Sequence, residues 1–177
     1  MTISDRKSES ELADALRTLA DLPMRRLLSG HPPEVLDCQV LFVSPGVPLD
    51  TAIIVEARRR RLAMSSESRL FAYLCPGTIV GVTGSSGKTT TVTLIGKMLE
   101  SAGRPTRVGG NIGSPLLSQL KDITADNVVV MELSSFQLEL MSVAPQVGAI
   151  LNITPNHLDR HASMQEYINA KAHLIEY

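Results

Sequence analysis

Residues Thr78–Thr91 read TIVGVTGSSGKTTT, and this stretch decides the fold. Ile79, Val80 and Val82 are the β-branched residues of a short buried strand that runs into Thr83-Gly84-Ser85-Ser86-Gly87-Lys88-Thr89-Thr90. Beyond the glycines, Val92, Ile95, Leu99 and Ala102 recur at helical spacing, and Gly103 supplies the stop. A strand, a glycine loop and a helix start in that order suit the holding of a triphosphate. Gly84 and Gly87 let successive amide N–H groups converge on phosphate oxygens, and the helix start adds the positive end of its dipole. Lys88 can then reach the β- and γ-phosphates, and the Thr89 hydroxyl is placed for Mg²⁺. The alternative is a glycine-rich β–α turn with a solvated lysine; the strand before and the amphipathic helix after favour phosphate. The longer pattern G-x-x-x-x-G-K-[ST] wants glycine where Val82 stands, so the match is to the shorter T-G-x-x-G-K-T-T.

Composition narrows the function classes. The chain has 177 residues, 44% of them hydrophobic, which is enough for a buried core. A formal net charge of −1 and an aromatic content of 3% offer nucleic acid neither a basic surface nor stacking platforms. Cys38 and Cys75 lack metal-type spacing and read as reduced thiols. The polar opening MTISDRKSESEL has no apolar h-region, and no apolar run approaches a membrane span. The expectation is a soluble cytoplasmic protein.

Upstream of the phosphate loop, Ser8–Ala20 reads as a helix with a Ser8/Glu11 capping box. Val40–Val43 is a short strand delivered into Ser44-Pro45-Gly46, a turn where α/β proteins place ligands and where an ordinary β–α turn is equally at home. A helix around Asp50–Leu62 ends in Arg58–Arg61, four cations pointing all round the axis, which reads as a solvated helix end. Cys75-Pro76-Gly77 reads as a linker, dividing the chain into 1–76 and 77–177.

Downstream, Arg104–Val108 leads into a second glycine loop, Gly109–Pro115, with Ser114-Pro115 opening a short helix through Leu120. Val128–Met131 is an apolar strand ending in Glu132, the acid that a metal site opposite a phosphate loop requires; the alternative is a solvated glutamate. Val147–Ile153 is a further strand leading to Thr154-Pro155-Asn156-His157, where His157 is either a structural histidine or a metal or phosphate partner. In the last helix, capped by Ser163 and Glu166, Lys171 falls amid Met164, Tyr167, Ile168 and Ile175. Such a lysine either snorkels to solvent or is held desolvated in the site. In the second case its neutral amine can take up CO₂ as a carbamate, an anionic metal ligand.

TGSSGKTT, VGGNIGSPLL, ELSSFQLE and NITPNHLDRH followed by AKA resemble the Mur ligases, from about Val40 to Tyr177, with residues 1–39 matching poorly. The GGNIG and ELSSFQLE wording is most similar to the branch that adds D-glutamate. The resemblance implies an α/β fold. A P-loop NTPase-like parallel sheet flanked by helices forms a partial central ATP-binding domain, preceded by an incomplete Rossmann-like domain for the nucleotide precursor. It implies ATP-driven amide synthesis through an acyl phosphate, with UDP-N-acetylmuramoyl-L-alanine and D-glutamate as substrates and ATP and Mg²⁺ as cofactors. By the same analogy Gly84–Thr90 bind ATP, Lys88 holds the γ-phosphate, and Thr89 and Glu132 hold Mg²⁺. His157 and a carbamylated Lys171 surround a second Mg²⁺. Asn111, Ser134, Ser135 and Gln137 line the precursor's path, and Ser44, Pro45 and Gly46 its nucleotide end. Asn156 stands where the family has an acid, and Ser86 where asparagine is frequent. The resemblance also implies a three-domain protein of which this chain is a fragment with little turnover alone. Rival expectations are a non-catalytic ATP-binding module and a related amide ligase such as folylpolyglutamate synthetase.

Overall fold

The computed structural model describes residues 1–113, 115–156 and 160–176, and the chain forms two compact units. The first comprises Met1–Leu41 and Pro48–Met64. In it β1 (Thr2–Ser4) pairs in parallel with β2 (Arg25–Leu27), and Asp5 bridges to Gly30. The expected helix over 8–20 is regular only over α1 (Ala13–Thr18). Ser8 and Glu11 do exchange backbone-to-side-chain bonds, but among these residues only Leu16 is buried, so packing holds just the last turns. β3 (Val40–Phe42) pairs with β4 (Ala63–Ser65), and between them lies α2 (Ala52–Arg59), shorter at both ends than its periodicity suggests. At its end Arg59 and Arg60 both bind Glu56, pulling that carboxyl down to about 2. These exposed pairs contribute little stability and make the arginine run a solvated helix end.

The second unit, Phe42–Val47 with Ser65–Tyr177, carries the sheet. α3 (Glu67–Leu74) is capped by the Ser66 side chain, and its Phe71 and Ala72 enter the sheet's core. The turn at Cys75–Gly77, where the sequence suggests a division, therefore lies inside this unit. Four parallel strands follow among the described residues: β5 (Thr78–Thr83), β6 (Thr106–Gly110), β7 (Val128–Glu132) and β8 (Val147–Ile150). Their spatial order is β6-β7-β5-β8, so the strand leading to the phosphate loop lies beside the strand ending in Glu132.

Alternation sorts the strand residues to two faces. Ile79, Val129 and Met131 pack with Phe71, Leu116, Leu133, Leu138 and Leu174 on one side. Val128 and Val130 pack with Val92 of α4 (Lys88–Ser101) on the other, where Ile95 and Leu99 close over them. α4 ends in a left-handed Gly103, with Arg104 N–H donating to the Leu99 carbonyl and Gly103 N–H to that of Glu100, the bond pair of a Schellman stop. The segment after the second glycine loop is a 3-10 turn, Leu117–Asp122, and β8 ends at Ile150, before Ile153. α5 (Ser135–Leu138) follows β7 directly, and α6 (Met164–Ala172) closes the described chain. No described helix is long and apolar enough to cross a membrane.

Candidate phosphate and metal site

β5 is buried on both faces and must turn sharply to start α4, and glycine makes that turn. Gly84 has φ +159°, and Gly87, at φ +80°, occupies the left-handed cap of α4. Ser86, Gly87, Thr89 and Thr90 lie exposed at the mouth, while Gly84 is buried. Lys88 folds back over the loop and donates to the Gly84 carbonyl at 2.9 Å and that of Ser85 at 3.5 Å.

Glu132 is 2% exposed and lies at the carboxyl end of β7 beside the loop. It accepts from the Thr89 hydroxyl at 2.7 Å and from the Asn111 amide at 3.0 Å, and its carbonyl accepts from Asn111 N–H at 2.8 Å. Thr89 and Glu132, expected to share a metal, are thus in contact. Asn111, expected beside the precursor, is the third member of the group. These are hard oxygen donors around one carboxylate, a set that fits Mg²⁺ held jointly with substrate phosphates.

Lys171 does not snorkel. It is 1% exposed, and its ammonium nitrogen lies 3.2 Å from both Thr83 Oγ1 and the Gly84 carbonyl and 4.6 Å from the centre of the Tyr167 ring. Thr83 donates its own proton to the Leu133 carbonyl, so it can only accept from the lysine. Burial, with the nearby Lys88 charge second, lowers the Lys171 amine to about 8.

An ordinary lysine near 10.5 in the unfolded chain binds its proton through a range where the folded lysine has lost it. Stability must therefore rise with pH between about 8 and 10.5, by on the order of 3 kcal/mol for this buried group. Below pH 8 both states hold the proton and the cost is constant. Lys171→Met is expected to remove most of this rise and to leave the fold equally or more stable at pH 7. Urea unfolding at pH 7 and 10 in CO₂-free buffer checks it; an undiminished rise in the variant contradicts it.

The remaining expected site residues divide. Ser134 caps α5 and is partly exposed; its side chain accepts from Gln137 N–H, while Gln137 Oε1 accepts from Ser134 N–H. Gln137 is 5% exposed and donates to Ser68, and Ser135 is 2% exposed with its Oγ 2.9 Å from His161 Nε2. Ser135 and Gln137 thus spend their polar atoms inside the fold, leaving Ser134 as the accessible residue of the three. Ser44, Pro45 and Gly46 form an exposed turn, with the Arg160 guanidinium donating to the Pro45 carbonyl at 3.4 Å. His157, and Ser114 of the expected short-helix start, lie outside the described residues; Asn156 is exposed.

Sequence reasoning missed His161. It is 1% exposed, stacks on Phe136 at 5.2 Å, lies 5.1 Å from Tyr167, and holds its Nδ1 3.5 Å from Glu139. It joins α5 to the start of α6. Its only sequence signal is a second histidine four residues after His157 in NHLDRH.

Compared with known protein families, residues 82–177 match the Mur ligase middle domain. A UDP-N-acetylmuramoylalanine–D-glutamate ligase of Symbiobacterium thermophilum is 46% identical over 172 residues, 97% of this chain and 38% of the relative. One of Alkaliphilus oremlandii is 44% identical over 178 residues, 98% of this chain and 39% of the relative. The chain therefore spans about two fifths of the length of these curated relatives. Matches this extensive leave no room for residues 1–39 to stand apart, so the likeness begins well before Val40. Among solved structures, the UDP-N-acetylmuramate:L-alanyl-gamma-D-glutamyl-meso-diaminopimelate ligase of Neisseria meningitides aligns with TM-score 0.57 at 18% identity, over 98% of this chain and 59% of that one. The UDP-N-acetylmuramate-alanine ligase of Thermotoga maritima aligns with TM-score 0.52 at 23% identity, over 98% of this chain and 40% of that one. At such identities the structural matches bear on fold alone, and they agree with a parallel α/β sheet flanked by helices.

Proposed function

The chain belongs to the Mur ligase family, and from that premise we propose that it is the phosphate-binding part of an ATP-dependent ligase joining D-glutamate to UDP-N-acetylmuramoyl-L-alanine. The observation that carries this reading is the convergence of Lys88, Thr89, Glu132 and Lys171 on one glycine loop.

In the proposed reaction the alanyl carboxylate takes the γ-phosphoryl group of ATP. A carboxylate O–P bond forms, the β,γ-bridging bond breaks, and ADP leaves. The amine of D-glutamate then attacks the acyl carbon, phosphate departs with the C–O electron pair, and the amine loses a proton. Both steps crowd anionic oxygens together, so fixed positive groups decide the rate. Lys88 leaves its loop carbonyls to pair with the γ-phosphate, and the helix start of α4 faces the same oxygens. Thr89 and Glu132 are the residues that would hold Mg²⁺, which would supply neutralisation of the phosphate charge.

Lys171 enters as a carbamate: its neutral amine adds to CO₂, forms an N–C bond and releases a proton. As a neutral amine it has two N–H groups, matching the two acceptors Thr83 Oγ1 and Gly84 O, with its lone pair left over. A carbamate there replaces cation–cation repulsion with Lys88 by attraction. His157 as a partner of that carbamate rests on the family resemblance.

Replacing the matching region of the Symbiobacterium relative with this chain tests the reading. The chimera is expected to release ADP only when UDP-N-acetylmuramoyl-L-alanine and D-glutamate are both present. ATP turnover indifferent to D-glutamate overturns it.

A further inference from the structure

Besides the Lys88 bonds to its own carbonyls, the loop is held from outside. The parallel ladder of β5 and β8, whose last pair is Thr83 and Ile150, continues past the strand ends into the loop. Leu151 N–H donates to the Thr83 carbonyl at 3.0 Å, and Ser85 N–H to the Asn152 carbonyl at 3.0 Å. The Asn152 side chain then pairs with Ser86 as another peptide would: its Oδ1 accepts from Ser86 N–H at 3.0 Å and its Nδ2 donates to the Ser86 carbonyl at 3.1 Å. Ser85 Oγ donates to the Thr154 carbonyl and accepts from Thr154 N–H, both at 2.9 Å. A serine hydroxyl has one proton, so Tyr167, with its hydroxyl 3.0 Å away, is the donor in that third bond. Tyr167 is 1% exposed and its ring underlies Lys171.

From these contacts we infer that Asn152 and Tyr167 are positioning residues for phosphate binding: Asn152 braces Ser86 from the β8–α6 connection and Tyr167 braces Ser85 from α6, giving a loop with Val82 in place of the first glycine its working shape. The inference rests on the phosphate-loop reading. The mechanism is preorganisation. A loop already fixed by outside hydrogen bonds loses little entropy when a triphosphate arrives, and one released from them must be ordered by the ligand. The amide carries its acceptor and its donor on separate atoms, so Oδ1 takes Ser86 N–H while Nδ2 reaches the Ser86 carbonyl. An aspartate keeps the acceptor, loses the donor and adds negative charge beside the phosphates.

The test titrates the wild-type chain, Tyr167→Phe, Asn152→Ala and Asn152→Asp calorimetrically with MgATP and with inorganic triphosphate, and records backbone amide NMR spectra of Gly84–Lys88 without ligand. Affinity for both probes is expected to fall in that order, by about threefold for Tyr167→Phe, at least tenfold for Asn152→Ala and further for Asn152→Asp. Single sharp loop amides in the wild type are expected to broaden by exchange in the Asn152 variants, with the melting temperature moved little. Tyr167→Phe keeps the ring and serves if Asn152 variants do not fold. Variants binding within twofold of wild type with unchanged loop amides overturn the bracing. If the wild type binds neither probe, the phosphate reading falls by itself, and the amide spectra still decide whether the brace exists.

Discussion

Lys88→Met is expected to weaken ATP binding by two to three orders of magnitude while leaving the fold intact. At about 4 Å and an effective dielectric near 20, one cation–anion pair is worth about 4 kcal/mol, and most of that is lost with the ammonium. The cost to folding is small. Lys88 is partly exposed and bonds only loop carbonyls, one of which keeps Lys171 as a donor. The variant has a second consequence. Lys88 is one of the two causes holding the Lys171 amine low, so removing it must raise Lys171 above about 8. Calorimetric titration reads the first effect, and side-chain NMR of the lysine amines as a function of pH reads the second. Unchanged affinity, or a Lys171 amine that does not move, contradicts the proposed placement.

Gly110→Ala is expected to be the most damaging addition of a single methyl group at the site. Gly110 adopts φ +100°, and a Cβ there would fall on the backbone carbonyl oxygen of Glu132, which cannot rotate away. Backbone strain and the forced separation of β6 from β7 together cost roughly 3–5 kcal/mol. That is a large part of the stability of an ordinary domain. Because the displaced residue is Glu132 itself, the Thr89–Glu132 and Asn111–Glu132 bonds must loosen as well. Gly103→Ala is the control: its φ of +72° is also left-handed, but a Cβ there meets nothing within 4 Å, so it should cost only about 1–2 kcal/mol. Denaturant midpoints of the two variants test the difference; equal losses would contradict it.

What could be read in the sequence was local. The order strand, glycine loop, helix around Gly84 and Gly87 is written in neighbouring residues, and so is a buried apolar run ending in Glu132. The contact between Thr89 and Glu132 follows once β5 and β7 lie side by side. What could not be read was long-range or depended on packing. Asn152 reaches back to Ser86, and Tyr167 to Ser85, across stretches with no periodicity to announce the pairing. His161 is apolar in its surroundings and polar in its bonds, and nothing around it in sequence distinguishes it from a surface histidine. Helix ends were overread where periodicity continued without burial, as over 8–12 and beyond Arg59. Cys75-Pro76-Gly77 carries the residues of a turn, and nothing local to it shows that Phe71 packs with Ile79 of β5 and Val129 of β7.

The central claim is that the loop from Gly84 to Thr90, with Glu132 opposite, receives the triphosphate of ATP together with Mg²⁺. Calorimetric titration of the chain with ATP, with Mg²⁺ and then with a chelator, tests it most directly. The account predicts saturable one-to-one binding that inorganic triphosphate competes away and that the chelator weakens. No saturable binding, or binding that inorganic triphosphate does not displace, would contradict it.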